Sequence, residues 1–162
     1  MKNNSLSKSF TRYAAIQAIY SLNYSKNLPE IQTYLINNNA FLIDLDVKVN
    51  FDKTKINKIF LLKILEVIQN NQEKIDELIS SNLNSGWNID RLPIVQLAIL
   101  RVAISEMINF PKTSVGIIIS EYLMLTESFF TEKEYAFTNA ILENIYKNLN
   151  DKESSESRTK NT

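Results

Sequence analysis

The sequence predicts an all-α fold in a single domain, and three observations predict it. Apolar residues recur at spacings of three and four along most of the 162 residues, the period of helices that bury one side. Glycine occurs twice and proline three times, too few for the many tight turns of a sheet-rich fold. The one β-branched run, Val115-Gly116-Ile117-Ile118-Ile119, has no second strand-like run to pair with. A chain of this length buries roughly two-thirds of its unfolded surface, enough for one core.

The first helix is expected from about Ser9 to Tyr24, with Ser7 or Ser9 as N-cap. At 100° per residue Ala15, Ile16, Ile19 and Leu22 face a core, while Tyr13, Gln17, Tyr20 and Tyr24 line another side. Pro29 suits the first turn of a second helix carrying Ile31, Leu35 and Ile36, ended by Asn37-Asn38-Asn39. Residues 41–50 read equally as loop or short helix. Helical spacing resumes after Asp52 with Ile56, Ile59, Phe60, Ile64, Val67 and Ile68. A further segment carries Ile75, Leu78, Ile79 and Leu83, and Asn84-Ser85-Gly86 stops it, with Gly86 as the C′ residue.

Asp90 is expected to cap the next helix and Pro93 to sit in its first turn. From Leu92 to Ile108 apolar residues fall on almost every side, which marks a central, buried helix. Asn109-Phe110-Pro111 breaks it. Thr113 or Ser114 caps a helix to about Phe130. Thr131 and Glu134 form a capping box for the last helix, which bears Phe137, Ile141, Leu142 and Ile145. Residues 1–149 therefore make the domain. Residues 150–162 contain no apolar side chain and are expected to form a disordered polar tail.

The composition argues against an enzyme. Histidine and cysteine are both absent, which removes the commonest general base, the thiolate nucleophile and the usual zinc ligands. Glu127, Glu132 and Glu134 cluster only around a helix junction, where acids stabilise a helix N-terminus. No Gly-rich phosphate loop or metal-spaced set of ligands occurs, so no cofactor and no metal are expected. The N-terminus has no apolar leader-like stretch, and no apolar run reaches the ~20 residues that span a bilayer. A cytoplasmic location is the expectation.

Net charge is zero, but it is unevenly spread. Residues 1–29 hold Lys2, Lys8, Arg12 and Lys26 and no acid, so the remainder of the chain carries a net −4. A basic, acid-free end beside a tyrosine-and-amide face can bind an anion or stack on bases; it can equally be a solvated terminus beside a helix-packing face. Arg101 and Glu106 lie on different sides of one helix and need other partners, such as Glu121 for Arg101.

Three blocks of sequence, Arg12 to Ser21, Trp87 to Glu106, and Ile119 to Tyr122 with Phe137 to Glu143, resemble the NusB family of bacterial transcription antitermination factors. Residues 12–21, Arg-Tyr-Ala-Ala-Ile-Gln-Ala-Ile-Tyr-Ser, are similar to its opening helix. Trp87-Asn88-Ile89-Asp90-Arg91-Leu92 followed by Leu100-Arg101-Val102-Ala103-Ile104-Ser105-Glu106 is similar to its central helix. Ile119-Ser120-Glu121-Tyr122 and Phe137-Thr138-Asn139-Ala140-Ile141-Leu142-Glu143 are similar to its closing pair. The order and spacing hold from about residue 8 to 147. The family's arginine-rich start is thinned here to Lys8, Ser9, Phe10 and Arg12. A lysine and a glycine of its last motif are Ala136 and Ala140, and a frequently acidic position of its central helix is Gln96.

The resemblance implies a compact bundle of about seven helices. It implies a factor that binds single-stranded boxA-type RNA of ribosomal RNA operon transcripts together with NusE, a small-subunit ribosomal protein. That complex joins the RNA polymerase antitermination assembly and suppresses premature termination. On this basis Lys8, Arg12, Gln17, Phe137 and Asn139 are the candidate RNA-binding residues. Phe137 reads equally as a core anchor, and Asn139 as a helix cap. Tyr13, Tyr20 and Gln96 are the candidate partner-binding residues, and Arg101, Glu106 and Glu121 the structural charge pairs. The competing reading is a protein-interaction module, with the tyrosine face serving a homodimer or another partner and no RNA role.

Overall fold

A computed structural model describes residues 2–24, 27, 29–32, 56–110 and 112–160. Among these, five α-helices and one 3-10 turn are present, and no strand. They are α1 (Lys2–Ser21), α2 (Lys58–Ser81), the 3-10 turn Ile89–Arg91, α3 (Ile94–Asn109), α4 (Val115–Phe129) and α5 (Glu132–Lys160). Residues 29–32 form a helical turn where Pro29 predicts a helix start. The rest of that expected helix, and the stretch 41–50, lie outside the described residues.

The central position goes to α3, as its all-round apolarity predicts. Ala98, Ile99, Leu100, Val102, Ala103 and Ile104 are all buried, and α3 packs against α1, α2, α4 and α5. On α1 the expected core side is observed: Ala15, Ile16 and Ile19 are buried, joined by Phe10, Ala14 and Ala18, while Leu22 packs half-buried against them. The last helix contributes Ile141, Leu142 and Ile145 as expected.

Several boundaries differ, each for a local reason. α1 begins at Lys2, so Ser9 lies inside the helix; its hydroxyl donates to Glu121 Oε2 at 2.9 Å instead of capping. The two segments expected from Asp52 to Leu83 are one helix, α2, bent at Asn71 (φ −130°, ψ 21°). Asn71 Nδ2 donates to the Val67 carbonyl at 2.9 Å, the kind of local side-chain bond that competes with the helical ladder. Asn57 caps α2 by accepting from the Phe60 amide at 3.1 Å, and its own N–H donates to Thr11 Oγ1 at 2.8 Å, which fastens α2 to α1.

α2 ends at Ser81 with Asn82 as its C-cap, so Gly86 is not its C′ residue. Gly86 instead takes a positive φ of 85° in the turn closed by the Trp87 amide on the Asn84 carbonyl. Asp90 does not cap α3. It sits in the 3-10 turn, its amide bonded to Asn88 Oδ1, and Pro93 occupies the N-cap position of α3. The capping box forms in part: the Glu134 carboxylate accepts from both the amide and the hydroxyl of Thr131. Residues 151–160, part of the stretch 150–162 expected to be a disordered polar tail, continue α5 as an exposed helix. Nothing apolar anchors these turns; hydroxyl-to-carbonyl bonds such as Ser154 to Asn150 and Thr159 to Ser155 run along them.

Arg101 does not pair with Glu121. Its Nε and Nη2 reach Asp76 Oδ1 and Oδ2 at 2.8 and 2.9 Å, tying α3 to the second half of α2. Glu121 lies on the opposite side of α3, beside Ser9 and Arg12. No described helix is long and apolar enough to cross a membrane.

Candidate nucleic-acid interface

Among the described residues, the most extensive buried polar arrangement lies in the interior. Arg12 donates through Nε and Nη2 to both carboxylate oxygens of Glu106, at 2.7 to 3.2 Å. Tyr122 donates its hydroxyl to Glu106 Oε2 at 2.6 Å. Glu121 stands 3.5 Å from Arg12 Nη1. The Glu106 and Arg12 side chains are only 1% and 5% exposed. Burial opposes the charge on Arg12, but the hydrogen-bonded Glu106 carboxylate outweighs it and leaves the guanidinium pKa above its ordinary value. A bidentate pair of this kind is strong and directional, and it locks α1 to α3 and, through Tyr122, to α4.

Arg12, expected at a phosphate-contacting surface, lies instead in the interior. Its helical position faces the core, and its donors are committed to a carboxylate that cannot be left alone in the interior. Glu106 and Glu121 do serve as structural partners, with Arg12 rather than Arg101.

Burial, then the neighbouring Glu106 charge, pushes the Tyr122 hydroxyl well above its ordinary value of 10.0. A raised tyrosine pKa means that the folded state holds the proton more tightly than the unfolded chain. Its stabilising share is therefore full below pH 10.0 and is lost as pH rises beyond it. Tyr122→Phe is expected to cost about 1.5–3 kcal/mol near neutral pH, the usual loss of a hydrogen bond to a charged group. It should also flatten the decline in melting temperature above pH 10.0, measured by thermal melts on either side of that value.

The accessible face of α1 carries Tyr13, Gln17 and Tyr20, each half-buried. The Tyr20 and Tyr24 hydroxyls lie 3.3 Å apart and Tyr24 is 72% exposed. That contact raises the Tyr20 pKa. Tyr13 lies nearly parallel to Phe129 from the end of α4, with ring centroids 6.2 Å apart and 8° between planes. The Gln17 Oε1 atom is enclosed and has no hydrogen-bond partner among the described residues.

The remaining candidates fall into two other places. Lys8 sits on the α2 side of α1, its Nζ 5.6 Å from the Phe60 ring centre, where the cation meets the ring face. It is thus separated from the tyrosine face by the helix itself. Phe137 and Gln96 meet in a cleft of about 400 Å³ between the 3-10 turn and the starts of α3 and α5. Trp87, Arg91 and Lys133 also line it, and Trp87 is 56% exposed. Gln96 is buried, its amide a long 3.5 Å from Thr138 Oγ1, and among the described residues it borders this cleft. Phe137 packs against the core, as the core-anchor reading expects, and its other side lines the cleft. Asn139 is half-buried on α5.

Sequence spacing alone does not bring Phe129 to the tyrosine face, because a helix-terminal phenylalanine followed by a second one reads as core. Arg91 and Lys133 were likewise hidden by an even scatter of charge along the chain.

A family profile described as the NusB family matches residues 9–147. The transcription antitermination protein NusB of Rickettsia bellii is 30% identical over 151 residues, spanning 90% of this chain and 94% of that protein. The protein of the same name from Clostridium botulinum is 39% identical over 88 residues, 54% of this chain and 65% of that protein. Among solved structures, T. maritima NusB superposes with a TM-score of 0.70 at 25% identity, covering 86% of this chain and 90% of that one. A structure of the antitermination factors NusB and NusE in complex with dsRNA has a chain of like fold, with a TM-score of 0.67 at 23% identity, covering 87% and 96%.

Proposed function

The chain belongs to the NusB family, and we propose that it acts as a transcription antitermination factor that binds boxA-type RNA together with NusE in the cytoplasm. The observation that carries the RNA reading is the half-exposed face of Tyr13, Gln17 and Tyr20, running into Phe129. Rings presented beside an amide suit single-stranded bases, which are recognised by stacking and by hydrogen bonds to their edges. The role is one of binding rather than catalysis. Histidine and cysteine are missing, and the Arg12–Glu106–Tyr122 cluster is closed to any substrate.

With Arg12 internal and Lys8 on another side of α1, phosphate neutralisation is a minor part of the affinity. Fluorescence anisotropy with a single-stranded boxA RNA, with and without NusE, tests this. Binding is expected to strengthen when NusE is added. Tyr20→Ala is expected to weaken it about tenfold, the loss of one stacked ring. The plot of log K against log salt should have a slope shallower than about −5, at about 0.7 for each phosphate of a single strand. A steeper slope would place the affinity in charge contacts instead. A tight homodimer indifferent to RNA and NusE would favour a protein-interaction role.

A further inference from the structure

We propose that Tyr13 and Phe129 form a clamp for one unstacked RNA base, with the Gln17 amide contacting the edge of that base. The proposal rests on the RNA-binding reading above and adds to it a place and a reading group. The two rings come from α1 and α4, far apart in sequence, and only the fold brings them together. They are parallel to within 8°, with centroids 6.2 Å apart, toward the loose end of the range for ring pairs in contact. A base stacked between two rings needs two stacking steps of about 3.4 Å each. The parallel rings are already oriented for this, and drawing Phe129 outward until the two face each other across two stacking steps supplies that spacing.

Phe129 is the ring able to make the shift. It is the last residue of α4 and 44% exposed, and the next residue, Phe130, already has extended backbone (φ −135°, ψ 172°). The rest of α4 is held elsewhere, by Ile118, Tyr122 and Leu123 in the core.

Gln17 adds the second observation. It follows Tyr13 by one helical turn on the same face, and its enclosed Oε1 accepts no bond among the described residues. An unpaired acceptor shut away from water is unfavourable. With Gln17 one turn along the same face, a base held between the rings is positioned to offer an edge N–H toward this oxygen. Stacking on two faces accepts any base, and the amide supplies the preference.

The test uses the full chain with NusE and a set of short single-stranded RNAs, each lacking one base. For the wild type, one abasic position is expected to cost about tenfold in affinity, and the others little. For Phe129→Leu, the intact RNA is expected to bind about tenfold more weakly, and the same abasic position to cost nothing further. Phe129→Tyr should restore both the affinity and the abasic profile. Gln17→Leu should change which base is preferred at that position alone.

Full affinity with an unchanged abasic profile in Phe129→Leu overturns the clamp and leaves RNA binding standing. Loss of NusE binding without loss of RNA binding also overturns it, and assigns the rings to a protein contact. A wild type that binds no RNA with NusE present overturns the RNA reading itself, and the clamp with it.

Discussion

Replacing Glu106 with alanine is expected to destabilise the fold by about 3–5 kcal/mol, because it strands a buried positive charge. The Arg12 guanidinium is 5% exposed and gives two of its nitrogens to that carboxylate, and the Tyr122 hydroxyl gives its proton to the same group. Removing the acceptor leaves both donors in the interior with only the more distant Glu121 to face them. Urea titration of the two proteins reads the change directly, and a loss under about 1 kcal/mol would show that water reaches the cluster. The double variant Arg12→Met with Glu106→Leu should be more stable than either single change, because it removes the uncompensated charge along with its partner. Arg12→Ala belongs to the same series. It should lower stability and leave the salt dependence of RNA binding unchanged.

The second large effect is expected in α3. Leu100→Ala should cost about 2–5 kcal/mol, combining lost transfer energy with a cavity that the surrounding helices cannot close. Leu100 is fully buried in the helix that touches α1, α2, α4 and α5, so collapse on one side opens space on another. Ile94→Ala is the matched control. Ile94 is 44% exposed at the start of the same helix, and its loss should change stability by no more than about 0.5 kcal/mol.

The fold was legible where periodicity was unbroken. The run from Leu92 to Ile108 is apolar on almost every side, and a helix of that composition belongs in the middle. Boundaries were less legible because several residue types serve more than one purpose. Asp90 resembles a helix cap, yet Asn88 two residues earlier caps a 3-10 turn and Pro93 begins α3. Gly86 resembles a helix terminator, yet the helix ends at Ser81 and the glycine serves the turn beyond.

Charge was the hardest feature to read. On a helical wheel Arg12 falls near the core side of α1, but only the packing of α3 and α4 decides whether that guanidinium reaches water or a carboxylate. Asp76 and Arg101 are 25 residues apart, and their pairing depends on how α2 turns back along α3. The tyrosine face was readable from spacing alone, whereas its continuation into Phe129 needed two helices in register.

The bend at Asn71 has a consequence for how the molecule breathes. On one side of it, Phe60, Leu61, Ile64, Leu65 and Ile68 bury against neighbouring helices, with the Asn57–Thr11 bond holding that end to α1. On the other side, Ile75, Leu78 and Ile79 are buried, and Asp76 holds Arg101 of α3. The two stretches share a backbone but not their anchors, and the residue between them departs from helical geometry. In amide hydrogen exchange they should therefore behave as separate cooperative units with distinct opening energies, divided at Asn71.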